Sequence, residues 1–215
     1  MNTASSTSAR NLSQVLSDLQ NSFSGQSIIS IKDIVQTFKA RGFGFFIFLF
    51  ALPAALPLPA VGIGTILALP LLFLTAQHAF GRQTLWLPAW LEKKEVTKER
   101  LDGFVVASLP WMRRLEYVIR PRFHGMTEGL PARLFSIFGF IMAISVLFPL
   151  PLTNTVPALG VALIGIGMIM RDGLALIAGT LIGMAWITLL IWAILFLGPE
   201  GFELIKEFIK GLIGA

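Results

Sequence analysis

The chain has 215 residues, a formal net charge of +5, 55% hydrophobic residues and 13% charged residues. Soluble globular domains have roughly 45 to 50% apolar and 25% charged residues, so this composition, with a mean hydropathy of +0.77, predicts an integral membrane protein. Because an open sheet leaves backbone groups without partners in lipid, we expect the fold to be all-α. Cysteine is absent, which excludes disulfides, thiolate-bound metals and cysteine nucleophiles.

Residues 1–42 predict a cytoplasmic, amphipathic N-terminal segment. Residues 1–9 are polar and lack the apolar core of a signal peptide. Two short helices are expected at residues 11–23 and 30–40. In the second, Ser30 and Asp33 have the spacing of a capping box, in which the first residue and an acidic residue three positions later satisfy backbone donors at the start of a helix.

Residues 43–82 predict a helical hairpin broken by proline. The charge-free run over residues 43–58 would cover only about 24 Å as a helix, against a hydrocarbon core of about 30 Å. Pro53, Pro57 and Pro59 each lack a backbone N–H, so we expect them to interrupt the helix. The irregular tip is placed at residues 57–64. A hairpin that spans the membrane and a re-entrant hairpin both fit this pattern.

Residues 83–133 predict a basic cytoplasmic linker. Ten of the 17 Lys and Arg residues lie between Arg82 and Arg133, and four more precede residue 43. Cytoplasmic loops of membrane proteins carry such an excess of positive charge, so both segments, and with them the N-terminus, are expected in the cytoplasm. Nucleic acid is not an expected partner, because no DNA-binding or RNA-binding signature accompanies the charge.

An amphipathic helix within this linker is expected to lie in the plane of the lipid headgroups. Trp111, Met112 and Leu115 fall on one face, and basic residues fall on the other. This basic face is a candidate contact for anionic lipid or another anion; the alternative is a solvated face that only satisfies the charge rule. The candidate residues are Arg113, Arg114, Arg120 and Arg122.

Residues 134–173 predict a second hairpin that repeats the first. Identical residues recur at a spacing of 92, namely Pro57-Leu58-Pro59 with Pro149-Leu150-Pro151, Arg41 with Arg133, Phe46 with Phe138, and Gly81 with Gly173. We therefore expect a duplicated fold. The basic flanks favour two hairpins that enter from one side of the membrane. The alternative, an inverted repeat as in many transporters, would immerse charged residues of the linker.

Residues 174–197 predict a transmembrane helix, and residues 198–215 predict an amphipathic C-terminal helix at the interface. The first segment has 24 residues without a charge, enough to cross the membrane with some tilt. Within it Ala175, Gly179 and Gly183 recur every four residues and form a stripe that another helix can approach closely. The stripe fits either packing within one subunit or the seam of a homodimer.

The two hairpin tips form the candidate binding site. Their prolines free backbone groups, and hydroxyl and amide side chains lie beside the start of each second helix. A helix N-terminus carries unpaired donors and a partial positive charge, which suits an anionic or polyhydroxyl ligand; alternatively, Thr and Asn only cap these helices. The candidate residues are Pro57, Pro59, Gly62, Gly64, Thr65, Pro149, Pro151, Thr153, Asn154 and Thr155.

Residues suited to catalysis are sparse. His78 and His124 are the only histidines, and no carboxylate lies within residues 43–80 or 134–170. Metal sites and buried proton relays need clustered histidines or acids within the membrane, so we expect no metal, no cofactor and no enzymatic activity. His78 is interpreted as a solvated or hydrogen-bonded residue at the membrane interface, with a catalytic role as the less favoured alternative.

Several short motifs together resemble one family, and the resemblance covers about residues 11–197. They are Ser30-Ile-Lys-Asp, Ala51-Leu-Pro, Pro57-Leu-Pro, Leu69-Pro, Gly81-Arg, Trp86-Leu-Pro, Leu109-Pro-Trp, Arg120-Pro-Arg, Pro149-Leu-Pro-Leu, Asn154-Thr-Val-Pro-Ala and Arg171-Asp-Gly. In combination they resemble the exopolysaccharide synthesis ExoD family. Met170 stands where that family usually has an acid, so no carboxylate is assigned beside Arg171. The resemblance implies a bacterial inner-membrane protein associated with extracellular polysaccharide, without an assigned reaction.

Three functions fit these observations, in descending order. The first is a non-catalytic membrane component of exopolysaccharide synthesis or export, with the lipid bilayer, the assembly machinery and a second copy of the chain as partners. The second is a channel or transporter for a small solute or lipid-linked sugar, with its site at the hairpin tips. The third is an enzyme acting on a lipid-linked sugar, which is disfavoured because glycosyl chemistry usually needs paired carboxylates.

Overall fold

The structure is a computed structural model that describes residues 18, 20–38, 42–56, 63–148 and 154–213. It is mainly helical, as the composition predicts. The elements in chain order are β1 (Ile28–Ser30), α1 (Ile31–Phe38), α2 (Gly42–Ala55), α3 (Ile63–Ala79), α4 (Ala89–Glu92), β2 (Glu95–Thr97), α5 (Lys98–Val118), a 3₁₀ turn (His124–Met126), α6 (Gly129–Leu147), α7 (Thr155–Met170) and α8 (Gly173–Ile213).

Within the described part of the chain, two helices are long and apolar enough to cross a membrane. They are α6, with 19 residues, and the Gly173–Phe196 part of α8, with 24 residues. A non-helical backbone at Gly198, with φ 61° and ψ −152°, separates this part of α8 from its last turns. Helices α2, α3 and α7 are shorter, with 14, 17 and 16 residues. At 1.5 Å per residue each of these three is shorter than a hydrocarbon core of about 30 Å.

The all-α prediction misses a short antiparallel sheet. β1 pairs with β2 in a register that sets Ile29 opposite Val96. Ile29 is fully buried and belongs to the same apolar cluster as Leu101 of α5, so the sheet ties the N-terminal segment to the linker. Each strand has three residues, too few for the alternation of apolar and polar residues that identifies a strand in a sequence.

The predicted helix start at Ser30 is confirmed. The backbone N–H of Asp33 donates to Ser30 Oγ at 3.2 Å, and the Ser30 hydroxyl donates to Asp33 Oδ2 at 2.6 Å. Helix α1 begins at the next residue. Of the other predicted N-terminal helix, residues 20–22 are helical, and residues 11–17 and 19 lie outside the described part.

Helices α3 and α6 pack against each other in opposite directions. Near the end of α3, the Nδ1 atom of His78 lies 2.6 Å from Ser136 Oγ, about two turns into α6. Near the start of α3, Ala68 clusters with Val146 at the end of α6. The end of α3 thus lies beside the first half of α6, and the start of α3 lies beside the end of α6. The two helices are therefore antiparallel.

Helices α2 and α7 form a second antiparallel pair. Gly44 at the start of α2 lies against Ile169 at the end of α7, and Ala54 near the end of α2 clusters with Ala158 near the start of α7. Helix α8 also packs on α7. The helices thus share two ends, which we call the tip end and the basic end.

The tip end is defined by Ala54, Ala68, Val146 and Ala158, a buried apolar cluster where α2 and α6 finish and α3 and α7 begin. The basic end lies opposite, where α3 and α7 finish and α6 and α8 begin. Arg82, Arg133 and Arg171 lie at this end. The two segments that connect the hairpin arms, residues 57–62 and 149–153, fall outside the described residues.

Helix α7 is the centre of the bundle, with most of its side chains buried. A Cβ atom on Gly165 would lie 2.7 Å from the backbone N of Phe48 in α2. One on Gly160 would lie 2.7 Å from the backbone O of Gly179 in α8. Since real Cβ atoms do not approach backbone atoms this closely, glycine is what allows both neighbours to contact the α7 backbone.

The prediction that Pro53 interrupts its helix is wrong. Pro53 lies inside α2, which continues to Ala55, and Pro70 similarly lies inside α3. Each proline removes one helical hydrogen bond. Membrane helices tolerate this loss where neighbouring helices hold the segment in place, and both α2 and α3 have such neighbours in α7 and α6.

The outer surface of the bundle is apolar. Exposed large apolar side chains on α6 and α8 include Leu130, Leu134, Ile137, Ile141, Leu181, Ile191 and Leu195. A continuous apolar exterior of this kind is unfavourable in water and favourable in hydrocarbon. With the two long apolar helices, it identifies the chain as a membrane protein.

Candidate functional site

A cleft of about 370 Å³ opens at the basic end of the bundle. Its volume is at the small end of the range of about 300 to 1,000 Å³ that is usual for small-molecule sites. The end of α3, the start of α6 and the end of α7 form its walls. Its ionisable lining residues are His78, Arg82, Glu128, Arg133 and Arg171.

The turn after α3 forms one wall of the cleft. Arg82 N–H donates to the carbonyl of Gln77 at 3.1 Å, and Gly81 N–H donates to that of His78 at 2.9 Å. With Gly81 at φ +85°, this is the pattern of a glycine-terminated helix. The Gln77 side chain then exchanges two hydrogen bonds with the backbone of Trp86, at 3.1 and 2.9 Å, and so fixes the whole turn.

Gly81 also makes room for Arg133. A Cβ atom built on Gly81 would lie 2.7 Å from Arg133 Cζ, so a side chain at this position would displace the guanidinium. Arg133 itself is half-buried on the second turn of α6. His78 lies next to it, bonded to Ser136 and with its ring centroid 5.1 Å from that of Phe43. These contacts agree with the interpretation of His78 as a hydrogen-bonded residue.

The turn after α7 forms the opposite wall. Arg171 adopts the left-handed conformation, with φ 56°. This conformation is unfavourable for most residues other than glycine. Its Nη2 atom lies 2.8 Å from Glu128 Oε1. The next residue, Asp172, is buried and accepts hydrogen bonds from the N–H groups of Arg120 and Leu174, at 3.1 and 3.0 Å. This turn is therefore anchored from both sides of the chain.

Positive charge dominates the cleft. Glu128 is paired with Arg171, and Arg82 lies over the Trp86 ring at 5.9 Å from the centroid. Among the residues that the structure describes, Arg133 has no carboxylate within ion-pair distance. A half-buried guanidinium without a carboxylate partner favours the binding of an anion.

The arginines predicted as anion contacts are not those of the cleft. The side chain of Arg113 lies outside the description, and the side chains of Arg114, Arg120 and Arg122 are exposed away from the cleft lining. Arg120 and Arg122 contribute backbone groups, which bond Asp172 and Gly173. Their proposed contact with lipid stays a prediction.

The arginines that line the cleft had a signal in the sequence. Arg133 and Gly81 each have a partner at a spacing of 92 residues, and Arg82 and Arg171 belong to the Gly-Arg and Arg-Asp-Gly motifs. What the sequence did not reveal is that these short motifs meet, because α3, α6 and α7 bring them together only when they pack.

At the tip end, the structure describes four of the ten predicted site residues. Gly64 lies in the first turn of α3, and Thr65 Oγ1 is buried without a hydrogen-bond partner among the described residues. The Asn154 amide donates to the carbonyls of Val146 and Phe148, at 3.2 and 3.0 Å. The side chain therefore satisfies carbonyls at the end of α6 and does not cap α7, so the capping interpretation of Asn154 is wrong; its role as a binding residue stays a prediction. Thr155 is half-buried at the start of α7.

The other six predicted tip residues lie outside the described part of the chain. They are Pro57, Pro59, Gly62, Pro149, Pro151 and Thr153.

The small-residue stripe of α8 packs within the chain. A Cβ atom on Gly183 would collide with the Met142 side chain of α6, and Gly179 faces Gly160 of α7. Ala175 is buried beside Gly167. This is the first of the two interpretations, so the stripe is not free to serve as a dimer seam. A homodimer stays a prediction that would need another surface.

The described residues contain no group of three or more His, Asp or Glu side chains placed to hold a metal ion.

The comparisons with known proteins agree with one another. The family model for exopolysaccharide synthesis, ExoD, matches residues 12–192. The uncharacterized protein slr1875 of Synechocystis sp. is 32% identical over 208 residues, covering 94% of this chain and 98% of its own. Protein ExoD of Rhizobium meliloti is 29% identical over 177 residues, covering 80% of this chain and 72% of its own. No solved structure matches. The chain belongs to the exopolysaccharide synthesis ExoD family.

Proposed function

We propose that this chain is a multi-pass protein of the bacterial inner membrane that supports exopolysaccharide synthesis or export without catalysing a reaction. The observation that carries the proposal is the family match over residues 12–192, which includes α2, α3, α6, α7 and most of the apolar part of α8. The family name supports the process, and the exposed apolar side chains of α6 and α8 support a location in a membrane. The assembly machinery for the polysaccharide is the proposed partner.

The packing of the bundle favours a supporting role over a reaction. The interior between α2, α7 and α8 is filled by backbone contacts at Gly165 and Gly160. Catalysis on a lipid-linked sugar usually needs paired carboxylates, and the sequence places none within residues 43–80 or 134–170. The surfaces of the bundle and its basic end are then the regions available for partners.

A duplicated pair of hairpins is the proposed architecture. If residues 43–82 and 134–173 are equivalent, the contact between α3 and α6 has its counterpart in the contact between α7 and α2. Both pairs pack antiparallel, as such a two-fold relation requires. The same directions put both hairpin tips at one end, which supports the parallel arrangement and not the inverted one.

The proposed orientation follows from charge. Fourteen of the 17 Lys and Arg residues lie before residue 43 or within residues 82–133, so the N-terminus and the basic end are assigned to the cytoplasm. Helix α8 starts at the basic end and passes along α7 towards the tip end, and its last turns are assigned to the opposite side. The two hairpins, α2 with α3 and α6 with α7, are both assigned to enter from the cytoplasmic side.

A channel or transporter with its site at the tip end is the second candidate. It is favoured by the buried Thr65 hydroxyl, which lacks a partner among the described residues. It is opposed by the cluster of Ala54, Ala68, Val146 and Ala158, which fills the bundle directly below the tips. We rank it second because a solute would have to displace this packed layer.

Deletion of the gene in its host tests the first proposal. Extracellular polysaccharide per cell should fall, and expression of the intact chain should restore it. A Gly160→Leu variant, whose side chain cannot fit against Gly179, should fail to restore it. Unchanged polysaccharide in the deletion strain would contradict the proposal.

Liposomes that contain the purified chain should pass no sugar or ion. A specific flux that is lost in the Thr65→Val variant would favour the transporter.

A further inference from the structure

We propose that the cleft at the basic end binds a phosphate group, carried either by a lipid headgroup or by a soluble phosphate compound. The proposal goes beyond the role in polysaccharide production and does not depend on it. Its basis is that Arg82, Arg133 and Arg171, from three separate segments, all line a cavity of about 370 Å³.

The cleft carries an excess of positive charge. Among the described lining residues, Glu128 is the one carboxylate, and it pairs with Arg171 at 2.8 Å while 63% of its side chain is exposed. The Arg82 and Arg133 guanidiniums have no such partner in the described part. Arg133 is half-buried, so its guanidinium has lost part of its hydration. A bound anion would compensate for this loss.

The arrangement of the arginines around the cleft favours a tetrahedral anion. A guanidinium donates through a planar fork, and a single fork already satisfies both oxygens of a carboxylate. The cleft instead is lined by arginines from the α3, α6 and α7 sides. A phosphate group has oxygens directed tetrahedrally, so it can accept hydrogen bonds from several sides at once. Phosphate therefore matches this cleft better than a carboxylate does.

The turns after α3 and α7 hold Arg133 and Arg171 in place. Gly81 leaves space for the guanidinium of Arg133, which a Cβ atom at residue 81 would displace. Arg171 is the αL residue that ends α7, a position that glycine normally occupies. Its pairing with Glu128 then holds its side chain at the cleft wall. Both turns thus position an arginine that a simpler helix end would not require.

The cleft lies where apolar helices end, which is the depth of the headgroups in a bilayer. Leu130 and Leu134, on the same part of α6 as Arg133, are 67% and 50% exposed. An acyl chain can lie along these side chains while its phosphate enters the cleft. A soluble phosphate can enter from the cytoplasmic side of the same opening.

The test uses the full-length purified chain and two kinds of probe. In detergent, calorimetric titration with inorganic phosphate and with pyrophosphate, compared with acetate, detects a soluble phosphate. Native mass spectrometry after addition of phosphatidylglycerol, compared with diacylglycerol, which has no phosphate, detects a headgroup. Arg133→Gln removes the central guanidinium. Arg100→Gln is the matched control, because it removes the same charge from an exposed position on α5 outside the cleft.

Arg133→Gln should weaken binding of the effective probe by at least about tenfold, since it removes charge-assisted hydrogen bonds. Arg100→Gln should leave this binding almost unchanged. Binding of the soluble anions identifies a free phosphate as the ligand, and binding of phosphatidylglycerol alone identifies a headgroup.

The proposal is overturned if neither probe binds, if acetate binds as well as phosphate, or if both variants lose binding equally. Should Arg133→Gln fail to elute as a monodisperse protein, Arg171→Gly and Arg82→Gln are judged by the same criteria. Arg171→Gly is well suited, because glycine favours the αL conformation at this position.

Discussion

The carboxylate of Asp172 joins the start of α8 to the segment that precedes α6. Its Oδ1 accepts the N–H of Leu174 at 3.0 Å, and its Oδ2 accepts that of Arg120 at 3.1 Å. The N–H of Gly173 donates in return to the carbonyl of Arg122 at 2.7 Å. One buried side chain therefore caps a membrane helix and fixes the linker against it.

Asp172→Ala should lower the free energy of unfolding by about 1 to 3 kcal/mol, because two backbone N–H groups lose their acceptor in a buried place. Thermal unfolding of the purified chain in detergent measures this. Asp102→Ala is the control, since its carboxylate pairs with Lys98 on a partly exposed surface and should change stability by less than about 1 kcal/mol. Equal losses in both variants would contradict this account of Asp172.

Helix α7 holds the bundle together through two close backbone contacts. Gly165 meets α2, and Gly160 meets α8. Glycine costs helical stability, and its presence in a buried helix is compensated by the close approach that it allows. Gly139 in α6 is different, because a Cβ atom there would meet only the Thr75 methyl group at 3.4 Å and Ile164 Cδ1 at 3.8 Å.

Gly165→Ala should destabilise the chain by about 1 to 3 kcal/mol, as overpacking does in a filled core. The new methyl group would lie 2.7 Å from the Phe48 backbone N, which cannot move without shifting α2. Gly139→Ala should be neutral or stabilising by up to about 1 kcal/mol, through helix propensity. Fluorescence-detected size exclusion after heating compares the two; a more stable Gly165→Ala would refute the close contact of α2 with α7.

The molecule has charged residues at one end and apolar side chains along its helices. Such an uneven distribution of charge sets the orientation of a membrane protein. The cleft and the Arg-containing turns lie at one end, and α8 leads from that end along α7 towards the other. The aromatic pair of Trp192 and Phe196, with ring centroids 5.5 Å apart, lies at the end of the apolar part of α8, Gly173–Phe196. Aromatic side chains at this depth suit a membrane interface.

Single cysteines test the orientation without background, since the chain has none. In intact spheroplasts, a membrane-impermeant maleimide should label Gly211→Cys and should not label Thr84→Cys; both positions are exposed. Permeabilised membranes should show labelling of both. Labelling of Thr84→Cys alone in intact spheroplasts would mean the opposite orientation, and labelling of both variants there would mean that α8 does not cross.

The features predicted correctly from the sequence depend on residues that are close in the chain. Composition identified a membrane protein, the spacing of Ser30 and Asp33 located the start of α1, and small residues in α8 predicted close packing. Each of these follows from helix periodicity or from a local hydrogen bond, which needs no knowledge of the rest of the fold. Pro53 was judged wrongly for the same reason, because its tolerance depends on the neighbouring helix.

The cleft was decided only when the helices packed. Arg82, Arg133 and Arg171 are far apart in sequence, and they meet because α3 and α7 both finish where α6 begins. The pairing of β1 with β2 joins residues 28–30 to 95–97 in the same way. Local propensity and hydrophobic period fix each helix, but which ends come together depends on the close contacts at Gly165, Gly160 and Gly81. The amino-acid sequence thus determined the membrane helices and their caps, and the tertiary packing determined the site.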